Sequence, residues 1–516
     1  MKVQRSQFKV QCGTRTLNVA LSLAVWLMGS GPAFAQIDLS GEWAPRFYED
    51  QPERVPGPDL GDYLGIPITD AARWRADAWS ASIMTLPEWQ CRPHSADYIW
   101  RGPSPVRISK DVDPVSREVT SFRLEWLRSI ERAIYLDGRA APSPSAPHTW
   151  AGFSVGKWNG DVLTVSTTHL KEGYLRRNGL PRSDRATLAE HFIRNNDVLT
   201  VVAIVYDPVY LTEPFIRTTD YELDLKQRNP PYPCHVVEEI DRPRGAVPHI
   251  PPGMNESVQE FATKHQVPAE TARGGAATMY PVRVQLAKLD PASRPVLKPG
   301  VPVDLTGQWV SVVTEDWRWR MVTPPKGDYA SVPLNPEGVK VVSAWDPAKD
   351  EAAGQQCRAY GAGGVMRAPG QVRLSWRDDR TLKIETEAGT QTRLLHFGGA
   401  GPGATESSLQ GVSSAAWQLA GRAARGGGER PEGGSLRVTT TRLAAGYLRK
   451  NGVPYGANAR VTEYYNRVDE PNGDSWLIVT TVIEDPQYLA QRFITSSHFK
   501  KVADGSPWNP TPCSAK

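Results

Sequence analysis

Apolar and polar residues alternate with a period of two along much of this chain. "TWAGFSVGKW" (149–158) and "DVLTVSTTHL" (161–170) flank Asn159-Gly160, and "ATLAEHFIR" (186–194) and "VLTVVAIVY" (198–206) flank "NND" (195–197). That period sends successive side chains to opposite faces of a strand, and Asn-Gly supplies the turn of a two-residue hairpin. "FIRTTDYELDL" (215–225) is a further alternating run, whereas "TDAARWRADAWSA" (69–81) predicts one short helix. The expected fold is mainly β and antiparallel, with about eight or nine strands per unit, enough to close a barrel or build a sandwich.

The unit is written twice. At a constant offset of 266, "DLSGEW" (38–43) matches "DLTGQW" (304–309), Glu49-Asp50 matches Glu315-Asp316, "GDY" (61–63) matches 327–329, and "QCR" (90–92) matches 356–358, with no gap over 55 residues. Loop lengths then drift while landmarks persist: "GYLRRNG" (173–179) and "GYLRKNG" (446–452), "LAEHFIR" (188–194) and "VTEYYNR" (461–467), "DPVYL" (207–211) and "DPQYL" (485–489). The chain divides into a leader (1–35), a β-rich repeat (36–242), a Pro/Ala/Gly-rich linker (243–300) and a second β-rich repeat (301–516). Residues 254–265 suit a short helix, and a linker this long is expected to pack on something.

The repeated heptapeptide, followed by Pro181 or Pro454, reads as a helical turn closed by a left-handed Gly cap. Capping accounts for Gly, Asn and Pro but leaves Tyr174 with Arg176, and Tyr447 with Arg449, unexplained. Four cysteines lie beyond the leader. Of their three possible pairings, only Cys91–Cys234 with Cys357–Cys513 gives both copies the same bridge.

Residues 1–35 stand apart from the fold. Lys2, Arg5, Lys9 and Arg15 precede the apolar "LNVALSLAVWLMG" (17–29) and the small residues of "AFA" (33–35), the pattern of a secretory signal peptide cut after Ala35. The expectation is a periplasmic or secreted bacterial protein without a transmembrane segment. The formal charge of +4 belongs to that leader, and from Gln36 onward acids and bases balance. No nucleic-acid partner is expected from such a balance.

"GEW" (41–43) and "GQW" (307–309), each at the start of a first strand, resemble the lipocalin Gly-x-Trp signature. Two such units in tandem are similar to the lipocalin-like family that includes bacterial carotenoid hydratases, and to exported bacterial proteins of unassigned function. The resemblance implies a barrel in each copy. It also implies a closing Arg near the last strand, a place held by Arg217 in copy 1 and by Thr495 in copy 2.

"GFSVG" (152–156) has the form of a nucleophile elbow, but a hairpin follows it where that chemistry needs a helix. "CRPH" (91–94) becomes "CRAY" in copy 2, so metal ligation is not a shared property; no metal and no cofactor are expected. The glycines of 421–434 read as a flexible insertion. Repeated tryptophans, such as Trp79 and Trp345, read as core, while exposed ones suit stacking on flat ligands.

Glu190-x-Phe192-x-Arg194 recurs as Glu463-x-Tyr465-x-Arg467 and places three side chains on one strand face, either as an ion pair or as a carboxylate in a barrel mouth. Copy 1 is the expected binding unit, with Tyr174 and Arg176 holding a polar group and Glu190, Asp207 and Tyr210 beside them. His191 ranks lower because alternation points it away from Glu190. Asp207-Pro208 equally reads as a turn start with Tyr210 packed beneath. Three functions stay open: a small-molecule binding protein, a cofactor-independent hydratase, isomerase or hydrolase, and an envelope interaction module. The oligomeric state is not legible.

Overall fold

Each repeat closes its alternating runs into a barrel. A computed structural model describes residues 37–54, 57–127, 131–226, 233–238, 240–290, 297–399, 406–419 and 433–516. The expected leader and its expected cleavage point, most of the Gly-rich insertion and part of "NPPYPC" (229–234) lie outside the described residues.

Copy 1 supplies β1 (Gly41–Arg46), β2 (Val106–Val112), β3 (Val119–Glu125), β4 (Arg132–Tyr135), β5 (Phe153–Asn159), β6 (Val162–Thr168), the short pair β7 (Gly173–Tyr174) and β8 (Pro181–Arg182), then β9 (Thr187–Asn195), β10 (Val198–Tyr206) and β11 (Phe215–Leu223). Copy 2 supplies β12 (Gly307–Ser311), β13 (Gln371–Asp378), β14 (Thr381–Thr386), β15 (Gln391–Phe397), β16 (Val412–Leu419), β17 (Gly434–Thr441), the pair β18 (Gly446–Arg449) and β19 (Val453–Tyr455), then β20 (Arg460–Asp469), β21 (Ser475–Glu484) and β22 (Phe493–Lys501). The strand orders are β1-β11-β10-β9-β6-β5-β4-β3-β2 and β12-β13-β14-β15-β16-β17-β20-β21-β22, both closed. Trp43 faces Leu223 on one side and Val106 on the other, so β1 is the closing stave.

Of barrel and sandwich, the chain forms two barrels. One pair in each departs from antiparallel pairing: β4 with β5 (Ile134 opposite Ser154) and β15 with β16 (Leu395 opposite Ser413) run parallel. The expected early helix spans Asp70–Asp77, with Thr69 accepting from the Ala72 amide; Pro336–Ser343 answers it in copy 2, capped by Asn335. Asn159-Gly160 turns β5 into β6, and the Gly-rich insertion lies at the same turn in copy 2. Among the described residues no helix is long and apolar enough to cross a membrane.

The heptapeptide is a hairpin rather than the expected helical turn. Tyr174 pairs with Pro181, and Tyr447 with Pro454, so each proline lies inside a strand. The glycine is still required: Gly179 has φ +91, and a Cβ there would lie 2.3 Å from Trp79 Cβ. Asn178 donates to the backbone carbonyls of Asp59 and Asp62, and Asn451 to those of Pro325 and Asp328, so the asparagine holds the "GDY" loop of its own copy.

The arginine of the heptapeptide reaches across to the other copy. Glu315, beyond the end of β12, is buried against Arg101 (2.6 Å) and Arg176 (3.3 Å) of copy 1, with Arg217 at 3.8 Å and Arg54 at 3.9 Å. Glu49, its equivalent, is paired with Arg367 of copy 2 and lies 3.8 Å from Arg449. Each copy thus inserts one carboxylate among arginines of the other, Glu315 among four and Glu49 between two. Around this exchange the barrel walls pack on each other, with Thr200 and Thr480 hydroxyls 2.8 Å apart and Ile204, Ile216, Val310, Trp476 and Ile478 buried together. The linker covers one side through the helix Ser257–Lys264 and through Met279 and Tyr280.

Arg217 is therefore drawn to Glu315 and does not close the barrel over Trp43. The guanidinium above the Trp43 ring is Arg194, 5.2 Å from its centroid, and its Nη1 donates to the Asp38 carbonyl. Arg467 makes the same bond to the Asp304 carbonyl at 2.9 Å.

The cysteines pair as the repeat predicts. Cys91–Cys234 and Cys357–Cys513 have Cα separations of 5.6 and 5.0 Å and close loops of 143 and 156 residues. Loops this long make each bridge worth about 2–5 kcal/mol. Replacing either pair by alanine is expected to lower the free energy of denaturant unfolding by that amount; an unchanged midpoint would refute it.

Candidate functional site

The barrel interior of copy 1 is occupied by its own charge pair. Arg132 Nη1 donates to Glu190 Oε1 at 2.8 Å, Nη2 pairs with Oε2, and both side chains are at most 1% exposed. Trp100 Nε1 donates to the same carboxylate, while Ser154 and Thr167 hydroxyls accept from Arg132. Copy 2 repeats the arrangement with Arg393, Glu463, Ser413 and Thr440, and Tyr465 donates to Glu463 at 3.0 Å. Alternation correctly separates His191 from Glu190. His191 points out of the barrel to Glu470 of copy 2 and to the Thr164 hydroxyl.

The other expected site residues also divide. Arg176 belongs to the exchange between copies. Asp207 accepts from the Ser183 amide and hydroxyl and from the amides of Val209 and Tyr210, which makes it a turn former. Tyr210 accepts from Arg75 Nη1 at 2.7 Å. Tyr174 alone of the six lines a sizeable cavity, so the six do not converge.

That cavity, of about 290 Å³, lies at one end of barrel 1 in the layer of connecting segments. After the helix Asp70–Asp77 the chain delivers Trp79, and the stretch anchored by Cys91–Cys234 delivers Trp89, Arg92, His94 and Tyr98. Trp150 comes from the crossing into β5, and Tyr174 and Arg177 come from the heptapeptide. Trp79 and Trp89 ring centroids lie 4.8 and 5.6 Å from that of Tyr174, and His94 stacks on Tyr98 at 4.7 Å. Arg92 lies 3.5 Å above Trp89 and 5.4 Å from Trp150. A second cavity of about 400 Å³ adjoins it and shares Trp89, Arg92, Trp150 and Tyr174, with Arg75, Lys171 and Glu172 at its rim. Burial pushes the Tyr174 hydroxyl up to about 12 despite Arg92 and Arg75, and pulls the Arg92 guanidinium below its ordinary value.

The twin of this site in copy 2 is filled. Lys450, equivalent to Arg177, donates to the Lys516 backbone carbonyl. Tyr360, equivalent to His94, meets the Ser514 backbone amide, and Ala515, which joins Ser514 to Lys516 in the chain, is buried. Gln355 replaces Trp89.

Sequence reasoning missed Trp79, Trp89, Arg92, His94 and Trp150 as a group because they sit on irregular segments without a period. The available signal was the contrast between copies, Trp89 against Gln355 and His94 against Tyr360. Comparison with protein-family models, curated proteins and solved structures finds no match.

Proposed function

We propose that the chain is an exported binding protein that holds a small, largely apolar or aromatic molecule in the copy 1 cavity. The observation that carries this reading is the pair of equivalent sites, one open and lined by aromatic rings, the other filled by residues 514–516. Aromatic walls with a few fixed polar groups are the usual chemistry of a ligand pocket. Two disulfides suit an oxidising compartment, which supports export. The Gly-x-Trp start of each barrel supports the lipocalin-like resemblance, but with the pocket among the connecting segments at one end of the barrel rather than in its lumen.

Trp89 and Trp150 are half-buried and line the cavity without filling the barrel. Trp89→Ala and Trp150→Ala are each expected to weaken calorimetric binding of a flat aromatic probe such as 2-naphthamide by about tenfold, since one stacked ring contributes roughly 0.5–1.5 kcal/mol beyond its buried area. Thermal unfolding should stay nearly unchanged. Absence of binding by the parent protein, or binding indifferent to both substitutions, refutes the reading.

A further inference from the structure

We propose that the copy 1 cavity recognises a planar aromatic carboxylate, its ring among the indoles and its carboxylate on Arg92; this rests on the binding reading above. The case comes from what the two copies do with the same arginine. In copy 2, Arg358 Nη1 donates to the Tyr447 hydroxyl at 2.7 Å and lies 3.4 Å from Asp350, and Tyr447 donates to Asp350 at 2.8 Å. The equivalent positions in copy 1 are Arg92, Tyr174 and Met84. The acid is gone and the guanidinium remains.

Arg92 lies on the face of Trp89, and among the described residues no carboxylate is within ion-pair distance of it. Stacking uses the flat face of a guanidinium and leaves its in-plane N–H donors for a ligand, the fork that a carboxylate fits with two parallel bonds. The surroundings favour an anion. Glu172, the rim's acid, is already matched by Arg75 at 2.7 Å, while Lys171 and Arg177 add positive charge. Copy 2 shows that the basic residue at the Arg177 position takes an oxygen acceptor entering the site, since Lys450 there holds the Lys516 carbonyl. Met84, in the place of the missing acid, adds an apolar wall.

The test compares 2-naphthoate with its uncharged counterpart 2-naphthamide by calorimetry on the full chain. The naphthoate is expected to bind at least about tenfold more tightly, the scale of a charge-assisted hydrogen bond, and to lose that advantage as salt rises. Arg92→Met should erase the advantage, so that the two probes bind alike whatever their common affinity becomes. Met84→Asp, which restores the acid that copy 2 carries, should erase it in a protein that keeps its guanidinium. Equal binding of the two probes by the parent protein overturns the carboxylate inference and leaves the binding reading standing. Absence of binding by either overturns both. A preference that survives both substitutions places the anion elsewhere and also overturns the inference.

Discussion

Glu315→Gln is expected to destabilise the protein by about 3–5 kcal/mol, because removing one partner of a buried charge cluster leaves the others uncompensated. Four arginines, Arg101, Arg176, Arg217 and Arg54, lie within 4 Å of this carboxylate, and its side chain is 3% exposed. Arg54 and Arg176 keep Asp50 and Asp62 as partners, but Arg101 and Arg217 have no other ion-pair partner among the described residues. Glu49→Gln, in the reciprocal site, should cost less because fewer arginines depend on it. Denaturant unfolding measures both. A Glu315→Gln protein as stable as its parent would mean that the exchange between copies does not hold them together.

The same carboxylate gives stability a pH dependence of known sign. Burial works to raise its pKa, but Arg101, Arg217, Arg176 and Arg54 outweigh burial and hold it well below the ordinary 4.5. A depressed pKa in the folded state contributes stability that is present above the unfolded value and lost as pH falls through the folded one. The loss therefore begins below about pH 4.5 and is absent from Glu315→Gln.

Much of the fold is legible because it is local or repeated. Alternation from 149 to 225 marks the strands, Asn159-Gly160 marks a hairpin, and duplication alone selects the disulfide pairing. The exchange of Glu49 and Glu315 is not legible in the same way. Glu315 and Arg176 are 139 positions apart and belong to different copies, so comparing the copies shows that both residues recur without showing that they meet across the interface. The heptapeptide misleads for a related reason: Gly179 needs positive φ in a hairpin as much as in a helix cap, and only the pairing of Tyr174 with Pro181 distinguishes them. Of the candidate site, Tyr174 is legible because capping fails to explain it. The tryptophans around it carry no period and meet only when three connecting segments converge.

Glu190→Gln is the second large effect, and the fold reverses what the residue's chemistry suggests. A carboxylate that acts as an acid–base group is replaceable without harm to folding. Glu190 is instead fully buried and doubly bonded to Arg132, whose remaining donors go to Ser154 and Thr167. Glutamine keeps an acceptor for Trp100 but removes the charge that balances Arg132 inside the barrel. The expected cost is about 3–5 kcal/mol, a fall in the unfolding temperature on the order of 10 °C. The double replacement Arg132→Met with Glu190→Leu removes both charges at similar volume and should recover much of that loss, as it does not strand an ion in the barrel. Ligand affinity measured well below the midpoint should be unchanged in both, because the cavity is built from connecting segments outside the barrel. If Glu190→Gln keeps full stability and loses binding, Glu190 belongs to the site after all and the barrel interior must open to reach it.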